Sequence, residues 1–130
     1  MNQALHAAVE GCNSTTSVNN HLSCINLLLD AGANPNSEKK GRTIIMIACQ
    51  KGFIELVTEI IEKGAWVNHP DTDNKTPLHY AIDNKAENFD VVSLLVKKNA
   101  DINKETLSDG FTPLILAVKR GHKMICNFLI

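Results

Sequence analysis

The sequence predicts an all-α solenoid, an elongated stack of helix pairs, and three observations support this prediction. A threonine that opens an apolar segment recurs at Thr43, Thr76 and Thr112, spaced by 33 and 36 residues. Two of these threonines precede a proline, Pro77 or Pro113, and such pairs start helices because the hydroxyl caps free amides and the ring suits the first turn. Apolar residues also recur at helical spacing within each block. A period of this length is typical of stacked repeats.

The first repeat is predicted to span residues 1–36. It contains a Leu-His-Ala-Ala stretch from Leu5 and ends its second helix at Gly32, where a positive φ suits glycine. A polar insertion at residues 13–20 separates its two helical segments. Because long surface insertions cost little stability, we expect a mobile, dispensable loop there.

The second and third repeats are predicted to span residues 37–69 and 70–104. In the second, Ile44-Ile45-Met46 stands where the third has Pro77-Leu78-His79, and Gly64 ends the second helix. In the third, Val91, Val92, Leu94 and Leu95 are predicted to form the buried side of the second helix, and Asn99 takes the place of the terminal glycine.

The fourth repeat, residues 105–130, stops at Ile130 inside its predicted second helix. A repeat array normally needs capping units, because each repeat otherwise exposes its neighbour-facing side. We therefore expect either a longer array or an association that covers the open end. Phe128, Leu129 and Ile125 are predicted to line that end and to offer a surface for self-association.

These blocks resemble the ankyrin repeat, and the similarity covers nearly the whole chain. The third block, NKTPLHYAIDNKAENFDVVSLLVKKNADIN from Asn74, matches the family pattern at Thr-Pro-Leu-His, at the apolar run and at the final Ala-Asp-x-Asn. The resemblance implies β-hairpin-like fingers near residues 37–42, 69–75 and 104–111. It also implies that partner proteins bind the concave face, through the finger tips and the first helices.

The histidine at position 79 is the strongest candidate for catalysis, and the repeats argue against that role. The same position is His6, Met46 and Ile115 in the other blocks, and methionine and isoleucine cannot transfer protons. We interpret His79 as structural, and the resemblance implies a hydrogen bond within the Thr-Pro-Leu-His turn. The residues predicted to be structural are Thr76, Pro77, His79, Thr112, Pro113, Gly32 and Gly64.

No other residue pattern predicts catalysis, a metal or a cofactor. A calcium loop that starts at Asp71 would need a glycine where Thr76 stands. A zinc site at His21 and Cys24 lacks a Cys-x-x-Cys pair, and Cys24 is expected to face the core. The sequence therefore predicts a chain without catalytic residues, metal ligands or cofactors, which is not an enzyme.

The overall charge and hydropathy favour protein partners. Thirteen Lys and Arg residues face fourteen Asp and Glu residues, for a net charge of −1, so we expect no nucleic acid partner. No apolar run reaches the about 20 residues of a membrane span, and the N-terminal residues do not resemble a signal peptide. We expect the chain in the cytoplasm or nucleus, with reduced cysteines.

The resemblance places the partner-binding residues on the finger tips and on one side of the first helices. They are Glu38, Lys39, Lys40, Arg42, Ile47, Gln50, Asp73, Lys75, Tyr80, Asp83, Asn84, Leu107, Asp109, Phe111, Leu116, Lys119 and Arg120. Ile47, Tyr80, Phe111 and Leu116 could form an apolar strip on this surface, or they could be single exposed apolar residues of no functional meaning. Trp66 is expected to pack across a repeat junction.

The leading interpretation is a non-enzymatic protein-protein interaction module, a scaffold or adaptor that binds another protein or peptide on its concave face. The alternative is a regulatory or targeting segment of a longer multidomain protein whose catalytic or effector part lies outside these residues.

Overall fold

The computed structural model describes residues 1–13 and 15–130, and for residues 15–18 it describes the backbone alone. Over these residues the chain forms eight helices and one two-stranded sheet, which confirms the predicted all-α class. The elements in chain order are α1 Asn2–Glu10, α2 Thr15–Asp30, β1 Glu38–Lys39, β2 Arg42–Thr43, α3 Ile44–Lys51, α4 Ile54–Glu62, α5 Pro77–Ile82, α6 Phe89–Lys97, α7 Pro113–Arg120 and α8 Lys123–Leu129.

The helices pack as consecutive antiparallel pairs that stack in one direction. Within each repeat the first helix contacts the second, from α1 with α2 to α7 with α8. Between repeats, α1, α3, α5 and α7 form one continuous layer, and α2, α4, α6 and α8 form the other. The hydrophobic core lies between the two layers and between neighbouring repeats, as expected for a solenoid in which each unit contacts only its neighbours.

The predicted helix starts are confirmed at three threonines. Thr43, Thr76 and Thr112 are N-cap residues with extended backbones, and Pro77 and Pro113 are the first helical residues. The Thr112 hydroxyl accepts a hydrogen bond from the Ile115 amide at 3.3 Å. These local signals fix where each first helix begins.

The ends of the second helices share one geometry. Gly32 and Gly64 have φ of 103° and 99°, and Asn99 has φ of 69°. In each case the next residue, an alanine, donates its amide to a carbonyl five residues back, for example Ala65 to Ile60 at 3.2 Å. Glycine, or asparagine as its substitute, is required here because other side chains rarely adopt a left-handed backbone.

The three predicted fingers are present. Strands β1 and β2 form the first finger as a tight hairpin, with Lys40 and Gly41 both at positive φ in the turn. The second and third fingers are irregular turns, each closed by a backbone hydrogen bond: Asp71 to Lys75 at 2.9 Å and Thr106 to Phe111 at 3.1 Å.

The core follows the repeat pattern with one difference from the prediction. Ala48, Ala81 and Ala117 are fully buried in the same position of successive first helices, where a small side chain lets the helices approach closely. On α6, Val91, Val92 and Leu95 are buried as predicted, but Leu94 is only half-buried. Leu94 lies on the flank of the helix, where its side chain packs against the edge of the core rather than inside it.

The insertion predicted as a loop at residues 13–20 is largely helical. Helix α2 begins at Thr15 and runs for 16 residues, whereas α4 and α6 have nine residues each. Once a packed helix exists, each added residue gains one backbone hydrogen bond, so the extension forms despite its weak helix formers. Ser14 and the side chains of residues 15–18 lie outside the described part, and the predicted mobility of this segment stays a prediction.

Cys24 was expected in the core, but its side chain is exposed. The equivalent residues of the later repeats, Leu56, Val91 and Ile125, are almost completely buried. This position faces the preceding repeat, and in the described chain no repeat precedes α2. Cys24 is therefore exposed because of its place in the stack.

Candidate functional site

His79 ties the start of α5 to the following finger. Its Nδ1 accepts a hydrogen bond from the Thr76 amide at 3.2 Å and lies 3.0 Å from the Thr76 hydroxyl, and its Nε2 lies 3.0 Å from the Phe111 carbonyl oxygen. Burial lowers the pKa of His79, which favours a neutral ring that donates from Nε2 and accepts at Nδ1. Both ring nitrogens are used within the scaffold, in agreement with the predicted structural role.

The predicted binding residues meet on one face of the stack, in two recesses. The recess between the third and fourth repeats has a volume of about 160 Å³, and seven of its eight lining residues belong to the predicted set. Its lining is Lys75, Asp83, Thr106, Asp109, Phe111, Leu116, Lys119 and Arg120. A shallower recess of about 390 Å³ lies between the first and second repeats and is lined by Glu10, Arg42, Ile47, Gln50 and Lys51.

The predicted apolar strip on this face is not exposed. Ile47 and Leu116 are both only 7% exposed, and Tyr80 and Phe111 are half-buried. The position after the histidine position packs against the neighbouring first helix, because α3, α5 and α7 are in contact. The exposed apolar residue of the face is Leu107 at the tip of the third finger, with 70% of its surface accessible.

Tyr80 holds the second finger in place. Its hydroxyl donates a 2.6 Å hydrogen bond to Asp71 Oδ2, while Asp71 Oδ1 accepts from the amides of Asp73 and Lys75. Burial, reinforced by the Asp71 carboxylate, raises the pKa of Tyr80 to about 12. The Arg42 guanidinium lies 5.2 Å from the ring centroid. Tyr80 is thus a buttress of the finger as well as part of the surface.

The fingers are joined to one another by side-chain hydrogen bonds. Asp73 accepts from the amide and the hydroxyl of Ser108, both at 2.8 Å, and these bonds lower the pKa of the Asp73 carboxyl. Glu38 of the first finger lies 2.6 Å from Nε2 of His69 in the second. The finger tips therefore form a linked row.

The first helices carry the remaining predicted polar residues. Arg120 donates from Nε to Asp83 at 2.7 Å, and Asn84 donates to the Tyr80 carbonyl at 3.0 Å, where it completes the end of α5. The Lys119 ammonium lies 4.9 Å above the Phe111 ring. Arg120, Asp83 and Lys119 remain accessible in the recess, whereas Asn84 serves the helix end.

Trp66 was expected to pack across a repeat junction, but 58% of its surface is exposed. Its ring lies tilted against the His69 ring, with 5.5 Å between centroids. The residue follows a Gly-Ala turn, in the position where the resembling pattern has a polar Asp. That polar preference was the available sequence signal for exposure.

The last helix pair exposes a different set of apolar residues from the one predicted. Ile125 is fully buried and Leu129 is half-buried, because both face the preceding repeat. Phe128 is 41% exposed, and its ring packs edge-on against Phe89 with 5.4 Å between centroids. The other exposed apolar residues of this pair are Ile115, Val118, Met124 and Ile130.

Two structural searches are negative for the described part of the chain. Among residues 1–13 and 15–130, no group of three His, Cys, Asp or Glu residues is arranged to hold a metal ion. None of the helices in these ranges has the length and apolar character needed to cross a membrane.

Comparison with known proteins places the chain in one family. Residues 5–106 match the family described as ankyrin repeats (3 copies), and residues 84–130 match that described as ankyrin repeats (many copies). The ankyrin repeat and KH domain-containing protein mask-1 of Caenorhabditis elegans is 33% identical over 112 residues, which cover 86% of this chain and 4% of mask-1.

Two further relatives give the same result. The protein fem-1 homolog A-like of Mus musculus is 31% identical over 94 residues, which cover 72% of this chain and 14% of that protein. The ankyrin repeat and SAM domain-containing protein 6 of Rattus norvegicus is 36% identical over 94 residues, or 72% of this chain and 10% of that protein. The chain thus spans a small part of each of these longer relatives. With its repeat period, helix pairs and fingers, the chain belongs to the ankyrin-repeat family, a protein-interaction fold that is generally non-enzymatic.

Proposed function

We propose that this chain is a non-enzymatic interaction module, a scaffold or adaptor, whose concave face binds another protein or peptide. The observation that carries the proposal is the recess between the third and fourth repeats, lined almost entirely by finger and first-helix side chains. Many of these side chains are held by hydrogen bonds within the scaffold. A surface that is already ordered loses little conformational entropy when a partner binds.

The composition of this face suits a protein partner. The nearly buried Leu116 and the half-buried Phe111 form an apolar floor, and Asp83, Asp109 and Lys119 form a charged rim. An apolar centre with a polar rim is the usual arrangement of protein interfaces. We expect neither a nucleic acid partner nor membrane insertion.

The test compares two double variants with matched chemistry. Leu107→Asp with Asp109→Lys alters the finger tip of the concave face, and Leu27→Asp with Glu62→Lys makes similar changes on exposed positions of the second-helix layer. Both should melt like the parent chain. Immobilised protein should capture a partner at least tenfold less well with the first variant and equally well with the second. Equal capture by both variants would rule out the concave face.

The alternative proposal is a regulatory or targeting segment of a longer protein. It is favoured by the relatives, of which the chain covers 4–14% in the three cases above. An antibody against this segment would decide between the two on native cell extract. A product near 14.3 kDa would contradict the alternative, and a much larger product would support it.

We also propose that the chain works in the cytoplasm or nucleus. Its four cysteines, Cys12, Cys24, Cys49 and Cys126, are free thiols in the described structure, as suits a reducing compartment. Imaging of the tagged protein should show it in one of these compartments; a secreted product would contradict the proposal.

A further inference from the structure

We propose that the partner presents an acidic segment to the concave face, with carboxylates that pair with Arg42, Lys75 and Lys119. This inference rests on the proposed function and specifies the chemistry of the partner at the same site. It follows from the way in which the charges of this face are already paired within the chain.

The carboxylates of the face are occupied by internal partners. Asp71 accepts from the Tyr80 hydroxyl and two finger amides, and Asp73 accepts from Ser108 twice. Asp83 accepts from Arg120, which forms an ion pair with it. Glu10 at the edge of the face pairs with Lys39, with 3.5 Å between Oε2 and Nζ. These negative charges are therefore already compensated or hydrogen-bonded.

Three cations of the same face have no carboxylate partner among the described residues. Arg42 donates a 2.6 Å hydrogen bond to the neutral amide of Gln50. The Lys119 ammonium contacts the Phe111 ring, and the Lys75 ammonium makes no hydrogen bond or ion pair with the described chain. The second, third and fourth repeats each contribute one of these cations, so the positive charges run along the face.

Two of these cations are held over aromatic rings. The guanidinium of Arg42 lies over Tyr80, whose hydroxyl is fixed by Asp71, and the ammonium of Lys119 lies over Phe111. A ring stabilises a cation without using up its hydrogen-bond donors. The charges are thus positioned, and most of their donors remain available to an incoming acceptor.

The third cation, Lys75, borders the recess together with Lys119. The floor of this recess is formed by Leu116 and Phe111, and its volume of about 160 Å³ suits one short side chain. An aspartate or glutamate fits here, because its methylene groups would contact the floor while its carboxylate reached the two ammonium groups.

The same face is unsuited to a nucleic acid backbone. A polyphosphate carries a charge on every nucleotide, and Asp73, Asp83 and Asp109 lie among the cations and would repel such a dense charge. Carboxylates at separate positions avoid this repulsion. Neighbouring first helices are about 8–10 Å apart, and an extended chain rises about 3.3 Å per residue. The expected partner segment therefore has an acidic residue at about every third position.

Selection from a random peptide library tests this inference and requires no identified partner. The immobilised parent chain should enrich Asp and Glu at least threefold over the unselected library. Lys75→Gln with Lys119→Gln should abolish this enrichment. The control, Lys97→Gln with Lys98→Gln, removes the same charge from exposed positions at the end of α6 and should retain the enrichment. Melting temperatures verify that all three proteins are folded.

A selected peptide then provides a quantitative readout. Its affinity should fall at least tenfold in the Lys75 and Lys119 variant, and salt should weaken its binding to the parent chain, because exposed charges are screened. Selection of apolar or basic peptides, of no peptide, or of acidic peptides that bind the double variant equally well would overturn the inference. So would displacement of the peptide by a single-stranded oligothymidylate of equal charge at lower concentration.

The finger-tip variant separates this inference from the proposed function. Suppose the selected peptides lack acidic residues but are still lost with Leu107→Asp and Asp109→Lys. The concave face would then be a protein-binding face, and only its preference for acidic partners would be wrong. If the selected peptides bind the finger-tip variant as well as the parent, the concave-face proposal itself fails.

Discussion

Met46 occupies the position held by His6 and His79 in neighbouring repeats, and the difference leaves a buried hydroxyl without a partner. The Thr43 amide donates to Met46 Sδ at 3.4 Å, a weak interaction, and Thr43 Oγ1 is buried without any hydrogen bond among the described residues. In the third repeat both the amide and the hydroxyl of Thr76 are served by the imidazole of His79.

Replacement of Met46 by histidine should therefore stabilise the chain. Nδ1 of the new ring would pair with Thr43, for a gain of about 1 kcal/mol in the free energy of unfolding, measured by urea denaturation. Ile115→His is the matched control: Thr112 already accepts from the Ile115 amide and the side chain is 45% exposed, so little change is expected. A less stable Met46→His protein would mean that the surrounding core cannot accept the ring.

The buried imidazole of His79 should make stability depend on pH. Burial lowers its pKa from the ordinary value of 6.5, so the unfolded chain takes up the proton more readily than the folded chain. The contribution of His79 is thus complete above about pH 6.5 and is lost as the pH falls below that value. The fall in melting temperature from pH 7 to pH 5 should be smaller in His79→Gln. An identical fall in both proteins would exclude His79 as its cause.

At the scale of elements, asparagines join each repeat to the next. Asn36 donates to the Gly64 carbonyl at 3.1 Å and accepts from the Trp66 amide at 2.8 Å. Asn68 makes the equivalent pair of bonds to the Asn99 carbonyl and the Asp101 amide, at 3.0 and 2.7 Å. These side chains thus join the fingers to the ends of the second helices.

Loss of one such bridge should weaken the stack. Asn68→Ala removes both bonds and should cost about 1 kcal/mol of unfolding free energy, since the freed groups are exposed and can bind water instead. Asn103 occupies the same repeat position, and its side chain has no hydrogen bond to the described residues. Asn103→Ala should be close to neutral when both variants are unfolded in urea. Equal losses would assign the effect to the asparagine itself rather than to the bridge.

The second helices allow a direct test of core position. Leu95 is fully buried on α6, whereas its neighbour Leu94 is only half-buried. Leu95→Ala should lower the unfolding free energy by about 2–5 kcal/mol through the cavity that it leaves. Leu94→Ala should cost clearly less. The comparison uses one substitution at adjacent residues, and the reverse order of losses would contradict this assignment of the two side chains.

At the scale of the whole molecule, the same repeat position changes its surroundings along the stack. Val9, Cys49 and Ile82 are fully buried because the next repeat covers them, while the equivalent Val118 is 64% exposed. Ile115 is exposed for the same reason. The last described repeat therefore presents its neighbour-facing side, which is apolar, to solvent.

A covering repeat should consequently stabilise the molecule. Fusion of one consensus repeat after Ile130 should raise the melting temperature, because it would bury Val118 and Ile115. Without the fusion, we expect weak self-association through this face, and Val118→Gln with Met124→Gln should reduce it in sedimentation experiments. An unchanged melting temperature, together with a strictly monomeric parent chain at high concentration, would show that this face needs no cover.

The sequence by itself determined the repeat period, the starts of the first helices, the ends of the second helices and the positions of the three fingers. These features depend on adjacent residues: the Thr76-Pro77 pair starts a helix and Gly64 ends one wherever they stand. It also indicated most of the residues that line the recess between the third and fourth repeats, since these positions recur once per repeat.

Only the tertiary structure decided which of these residues are accessible and how their charges are paired. Cys24 is exposed and Ile125 is buried although both occupy the same repeat position, because burial depends on whether a neighbouring repeat covers that position. Likewise, Arg120 pairs with Asp83, 37 residues away, and this pairing helps to leave Lys75 and Lys119 as the cations without a carboxylate partner. Such contacts join distant parts of the chain, and no local pattern of residues specifies them.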